Sequence, residues 1–178
     1  MKEVRILDKD FELFIDADTI QESIKRLAVD MNKELEGKDP VFIAILNGSF
    51  MFAGDLMKHV TIPCEITFVR IASYQGMSST NDIREVLGLK EDIKDRTIVI
   101  VEDIVDTGNT IEALINQFKK HEPKEIKIAT LLFKPKALVR DVKPDYVAIE
   151  IPNDFIVGYG LDYDGFGRNL QDIYKIKL

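Results

Sequence analysis

A single cysteine, Cys64, has no partner within the 178 residues, so no internal disulfide forms and a reducing compartment is expected. No apolar run approaches the ~20 residues of a membrane span, and no stretch resembles a signal peptide. A cytoplasmic protein without a membrane partner is therefore expected. Internal periods and low-complexity tracts are missing as well, which excludes repeat architectures. Basic residues are in deficit: Lys+Arg 24 against Asp+Glu 31 gives a net charge of −7, with no Lys/Arg stripe. That balance argues against a nucleic-acid partner, so a polyanion would need a local site, with a metal to help. The chain has no Gly-x-x-x-x-Gly-Lys-Ser/Thr, which argues against a P-loop kinase. Gly158-x-Gly160 lacks the third glycine of a dinucleotide fingerprint. His59 and His121 have no metal-ligand spacing, and Cys64 reads as a small buried hydrophobe.

What is present is a core. Hydrophobic residues make up 46% of the chain, and a chain this long fits one domain that buries roughly 70% of its unfolded surface. Ile20, Ile24, Leu27, Ala28, Met31 and Leu35 share one face of a helix expected over Thr19–Leu35, opened by a Thr19-x-x-Glu22 capping box. Val41–Leu46 is wholly apolar, as befits a strand buried on both faces of a parallel sheet. Asn47-Gly48-Ser49 turns the chain into a second helix bearing Phe52, Leu56 and Met57. Further strands are expected over Glu65–Ile71, Arg96–Val101, Ile126–Phe133 and Tyr146–Ile151, with a helix carrying Ile111, Leu114, Ile115 and Phe118 between the second and third of these. Strands alternating with helices predict an α/β fold, a mostly parallel twisted sheet flanked by helices. No linker divides residues 1–178. The core is expected over about 19–150, with a small hood from about 152–170 and the N-terminal segment.

Ligands in such sheets bind outside the carboxyl ends of the strands. There the sequence places Glu102-Asp-Ile-Val-Asp-Thr-Gly-Asn-Thr110: adjacent acids, a short hydroxyl- and glycine-bearing turn, and a helix start. Unpaired amides and the helix dipole make such a turn a phosphate cradle. A carboxylate pair beside it would repel phosphate unless it holds sugar hydroxyls or Mg²⁺, so the pairing suggests a ribose phosphate. The plainer alternative is a capped helix with Asp106 or Thr107 as N-cap.

That segment resembles the phosphoribosyl-diphosphate signature of type I phosphoribosyltransferases. Leu46-Asn-Gly-Ser49, Ser73-Tyr74, Lys134, Lys143-Pro-Asp-Tyr146, Glu150-Ile-Pro152 and Phe155-Ile-Val-Gly-Tyr-Gly-Leu-Asp162 through Arg168 are similar to the hypoxanthine (hypoxanthine-guanine) branch, in the same order. The resemblance implies transfer of a ribose phosphate from 5-phosphoribosyl diphosphate to hypoxanthine or guanine, giving IMP or GMP and diphosphate, with Mg²⁺ as cofactor. It implies Asp106 as general base, Glu102 and Asp103 on the ribose hydroxyls and Mg²⁺, and Thr107, Gly108, Asn109 and Thr110 around the 5′-phosphate. Asn47, Gly48 and Arg168 would face diphosphate, Asn47-Gly48 as part of a short loop with a cis-capable peptide that presents amides. Lys134, Phe155, Ile156 and Asp162 would recognise the purine, Asp162 also reaching a second Mg²⁺, and Ser73 and Tyr74 would open a closing lid. Asn47 and Asn109 depart from the family, where basic residues are frequent. A homodimer or homotetramer is implied too. The rivals are a guanine- or xanthine-preferring relative and a non-catalytic sensor of phosphoribosyl diphosphate.

Overall fold

The computed structural model describes residues 2–72 and 85–177. The elements run β1 (Glu3–Ile6), β2 (Lys9–Ile15), α1 (Ala17–Glu34), β3 (Val41–Leu46), α2 (Phe50–Met57), β4 (Glu65–Ala72), β5 (Glu85–Leu87), β6 (Thr97–Val105), α3 (Asn109–Lys119), β7 (Glu125–Phe133), β8 (Tyr146–Glu150), β9 (Ile156–Val157) and β10 (Ile173–Ile176). Six strands form one sheet in the order β5-β4-β3-β6-β7-β8, parallel except for β5. β3 therefore lies between β4 and β6, which brings the chain leaving it beside the chain leaving β6.

The apolar strands are buried because helices cover both faces. Phe42 and Ala44 of β3 and Val99 and Val101 of β6 pack with Ile20, Ile24 and Leu27 of α1 and Phe52 and Leu56 of α2. The alternate residues, Val41, Ile43, Ile45, Ile98 and Ile100, pack with Ile111, Leu114 and Phe118 of α3 on the other face. This two-residue alternation between two separate helix layers is what a continuous apolar run encodes.

α1 begins two residues before the expected Thr19. Asp16 is its N-cap, and the Asp16 side chain accepts from the Thr19 amide at 2.8 Å. A carboxylate three residues upstream supplied the cap, so Thr19 needed no capping box of its own. α3 also differs from the simple capped helix: its N-cap is Gly108, at φ +85° and without a side-chain cap bond, not Asp106 or Thr107. β6 runs through to Val105, so Glu102 and Asp103 stand on the strand rather than after it.

A second sheet, four strands in the order β1-β2-β10-β9, is antiparallel throughout. It joins the chain's two ends, and its last strand, β10, lies beyond the expected hood limits of 152–170. Ile15, Ile156, Tyr159, Leu161 and Ile173 belong to the same apolar cluster as α1 and α2, so the two sheets share one core. Asp172 ties the chain's start to this layer, accepting from the Ala17 amide at 2.8 Å and pairing with Lys2.

Candidate active site

A cleft of about 590 Å³ opens at the carboxyl ends of β3 and β6. It gathers Asn47, Gly48, Glu102, Asp103, Asp106, Thr107, Gly108, Thr110, Asp162 and Arg168 from three separate stretches of chain. Asn109, Lys134, Phe155 and Ile156 do not line it directly. Ser73 and Tyr74 lie outside the described residues.

The wall after β3 is backbone. The Leu46-Asn47 peptide is cis. Gly48 is buried, and a Cβ there would fall 1.5 Å from Asp103 Oδ2, so no other residue fits without displacing that carboxylate. The Asn47 amide oxygen accepts from Arg70 Nη2 at 2.8 Å. Arg70 is the register partner of Leu46 on β4, so a cation stands beside position 47 although the residue itself is neutral.

Glu102 is 6% exposed. Burial first, then the neighbouring Asp103 charge, pushes its carboxyl well above the ordinary range. Burial likewise raises Asp103, against the pull of the Ile104 amide, which donates to it at 2.7 Å, and of the Arg168 charge. Two carboxyls facing each other in a cleft are an arrangement in want of a cation. Among the described residues no three acids, histidines or cysteines converge to cage a metal, and Asp162 stands apart from the pair. Its oxygens accept from Arg168 Nη2 at 2.7 Å and the Gly165 amide at 2.7 Å. Paired carboxylates with open positions suit Mg²⁺, which takes a few protein oxygens and fills the rest from water and phosphate.

After β6 the chain makes its tight turn. Gly108 at φ +85° packs against Leu138 and Val142, where a Cβ would fall 2.9 Å from each. The Val139 amide donates to Thr107 O at 3.0 Å, so the segment after β7 backs the turn. Asn109 opens α3 with its side chain turned aside to Arg140, whose Nε donates to Oδ1 at 2.6 Å. Here too an arginine from a neighbouring segment accompanies a neutral position. Neither Arg70 nor Arg140 is visible as a partner in the sequence, because each contact depends on chain pairing at long range.

Asp106 sits between the amide turn and β7. Lys134, 7% exposed at the end of β7, donates from Nζ to Asp106 Oδ2 at 3.0 Å. The register of β6 with β7, Val105 opposite Phe133, makes the residues just beyond them neighbours.

The C-terminal segment closes the other side. Arg168 Nη1 donates to Gly160 O at 2.7 Å, while Phe155 projects with 49% of its surface exposed. The Phe155 ring meets Tyr163 edge-on at 6.0 Å and Phe11 at 6.4 Å. Ile156 is buried in β9.

Residues 16–164 match the model of the phosphoribosyl transferase domain. The chain belongs to this family. It is 38% identical over 174 residues to the hypoxanthine-guanine phosphoribosyltransferase of Streptococcus pneumoniae strain R6, with 97% of each chain covered. To the enzyme of the same name from Lactococcus lactis it is 39% identical, over 96% of this chain and 94% of the relative. A crystal structure of a hypoxanthine-guanine phosphoribosyltransferase from Bacillus anthracis superposes with a TM-score of 0.87 at 36% identity, over 93% of this chain and 98% of that one. In this phosphoribosyl transferase domain the acid pair and the amide turn form one side of the cleft, and Arg168 stands on the other.

Proposed function

We propose that the chain joins hypoxanthine or guanine to 5-phosphoribosyl diphosphate, forming IMP or GMP and releasing diphosphate in purine salvage. One observation carries the reading: Asp106, held by Lys134, stands at the open end of the Thr107–Thr110 turn, with the Glu102–Asp103 pair on the strand before it. The relatives' activity agrees with it.

The turn's amides and the start of α3 take the 5′-phosphate. Glu102 and Asp103 hold the ribose hydroxyls and would hold one Mg²⁺, and Asp162, from across the cleft, would reach a second; bound there, the metal would supply charge to the departing diphosphate. Gly48 and Asn47 present backbone to that diphosphate, and Arg168 adds a fixed cation. Departure of diphosphate leaves positive charge on the ribose, so the incoming purine nitrogen attacks and must lose its proton. Asp106 accepts that proton. An ammonium has three donors, so Lys134 can orient Asp106 and still donate to the purine's exocyclic oxygen. Phe155 offers an exposed ring for stacking and Ile156 its backbone for the purine edge. Ser73 and Tyr74 are read as part of a lid that excludes water.

We read the four-stranded sheet as the hood of a single domain. The exposed Phe50, Ile66 and Phe68 provide apolar surface for a dimer or tetramer. No described helix is long and apolar enough to cross a membrane, and the lone thiol fits a cytoplasmic setting.

The test is spectrophotometric conversion of hypoxanthine, guanine, xanthine and adenine with 5-phosphoribosyl diphosphate, with Mg²⁺ and then with a chelator. Turnover of hypoxanthine or guanine that stops on chelation is expected. Failure of both bases would overturn the proposal, and preference for xanthine would reassign the substrate.

A further inference from the structure

Tyr159 has no part in the roles above, yet it combines burial with an uncommon backbone. It is 2% exposed and adopts φ +49°, a left-handed conformation costly for a bulky residue. Such conformations persist where the surroundings fix them, and they gather at functional sites. Its ring lies in the main core, and its hydroxyl donates to Asp55 Oδ2 on α2. Gln21 of α1 donates to the same oxygen at 2.7 Å, and Lys58 pairs with the other oxygen at 2.7 Å. Although burial pushes the Asp55 carboxyl up, these donors outweigh it and hold the group below its ordinary value, ready to accept. Burial and Asp55 together keep the Tyr159 proton on its oxygen.

The next residue is the point of contact with the cleft. A Cβ on Gly160 would fall 2.1 Å from Gly48 O, so the two backbones touch there and only glycine permits it. Gly160 is fixed on its own side, its amide donating to Arg168 O at 2.9 Å and its carbonyl accepting from Arg168. Gly48 lies two residues before α2, which carries Asp55. One loop is thus gripped twice by adjacent residues of one segment, at Gly48 by backbone and through α2 by a hydroxyl.

We propose that the Tyr159–Asp55 bond is a latch that seats Gly160 on Gly48 and so holds the Asn47–Ser49 loop in the orientation that receives diphosphate. Tyr159 and Asp55 are then positioning residues, coupling the purine-side segment to the diphosphate side. The latch rests on the reading of this loop as a diphosphate site.

Tyr159→Phe keeps the ring's volume and removes the hydroxyl. The KM for 5-phosphoribosyl diphosphate should rise about tenfold to a hundredfold, the worth of one hydrogen bond to a charged group, while the KM for hypoxanthine stays within about twofold. Asp55→Ala should match it, the double variant should be no worse than either single one, and Asp55→Asn, which keeps an acceptor, should lie near the wild type. Equal rises in both KM values, or additive effects, would overturn the latch. Amide hydrogen exchange in the ligand-free protein judges it apart from activity. Exchange at Gly48 and Ser49 should quicken in Tyr159→Phe, and unchanged exchange there would overturn the latch even if the wild type turns over normally. If the wild type converts no purine, the proposed reaction fails and exchange still decides the latch.

Discussion

The turn after β6 and the segment from Phe155 to Arg168 face one another across the cleft, but different interactions hold them. The turn is carried by a strand buried in the middle of the sheet, and its shape is local: two acids on β6, a left-handed glycine, then the first turn of α3. The C-terminal segment has a two-residue strand, and its glycines 158, 160, 165 and 167 all have positive φ. It is held by β10 and Gly48 and by its own Arg168, which bonds back to Gly160. The difference teaches that the phosphate side is drawn from one short stretch of sequence, backed by the segment after β7, while the C-terminal side is assembled where the chain's two ends pair. Perturbing the first should change chemistry, and perturbing the second should change recognition.

The sharpest way to break this division is at Asp106. Asp106→Asn keeps the shape and a hydrogen-bond partner for Lys134 but removes the proton acceptor. Turnover should fall about 10²- to 10⁴-fold, the usual worth of a positioned base, with the KM for 5-phosphoribosyl diphosphate nearly unchanged. A fall in kcat matched by an equal loss of substrate affinity, read by steady-state kinetics and calorimetry, would show that Asp106 binds substrate instead.

The same division explains what was legible in the sequence. β3, β6, β7 and the face of α1 were plain because burial on both sides leaves continuous apolar runs, and the acids at Glu102 and Asp103 stood out against that background. The start of α1 differs from the expected Thr19 because Asp16 and Thr19 are both N-cap residue types, and only the backbone path selects Asp16. β1, β2 and β10 were not anticipated. Their residues mix exposed and buried positions, as Lys9–Ile15 shows, and their pairing joins residues such as Ile15 and Ile173. Arg70 and Arg140 were invisible as partners of the two asparagines for the same reason. Lys134 and Asp106 were each identifiable as candidates, but their ion pair follows from the β6–β7 register, which the sequence does not print.

On the recognition side, Phe155 is the residue to change. Its exposed ring should stack on the purine, and base stacking on an aromatic is worth about 1–3 kcal/mol. Phe155→Leu should therefore raise the KM for hypoxanthine about tenfold, leaving the KM for 5-phosphoribosyl diphosphate and the folded state alone. A change confined to thermal stability would place Phe155 with Phe11 and Tyr163 as packing only.

The smallest expected effect is also the one that runs against intuition. Glu102 and Asp103 are pushed above their ordinary range by burial, Glu102 further by its neighbour. The folded chain therefore keeps protons that the unfolded chain has already released, and stability falls as pH climbs above the ordinary glutamate value of 4.5. Glu102→Gln removes that loss from the rim. Near neutral pH its Tm should exceed that of the wild type by about 2–4 °C, corresponding to ~1 kcal/mol in a chain of this size, and the gap should close as the pH is lowered toward the unfolded carboxyl range. Turnover should drop in the same protein, with more Mg²⁺ needed for saturation, because an acid retained at a cost to stability is retained for what it binds. Melting curves of both proteins across pH decide the point: a variant less stable than the wild type at neutral pH would mean that Glu102 is satisfied within the fold, and the rim would then be built like its opposite wall, by mutual support rather than by stored repulsion awaiting a cation.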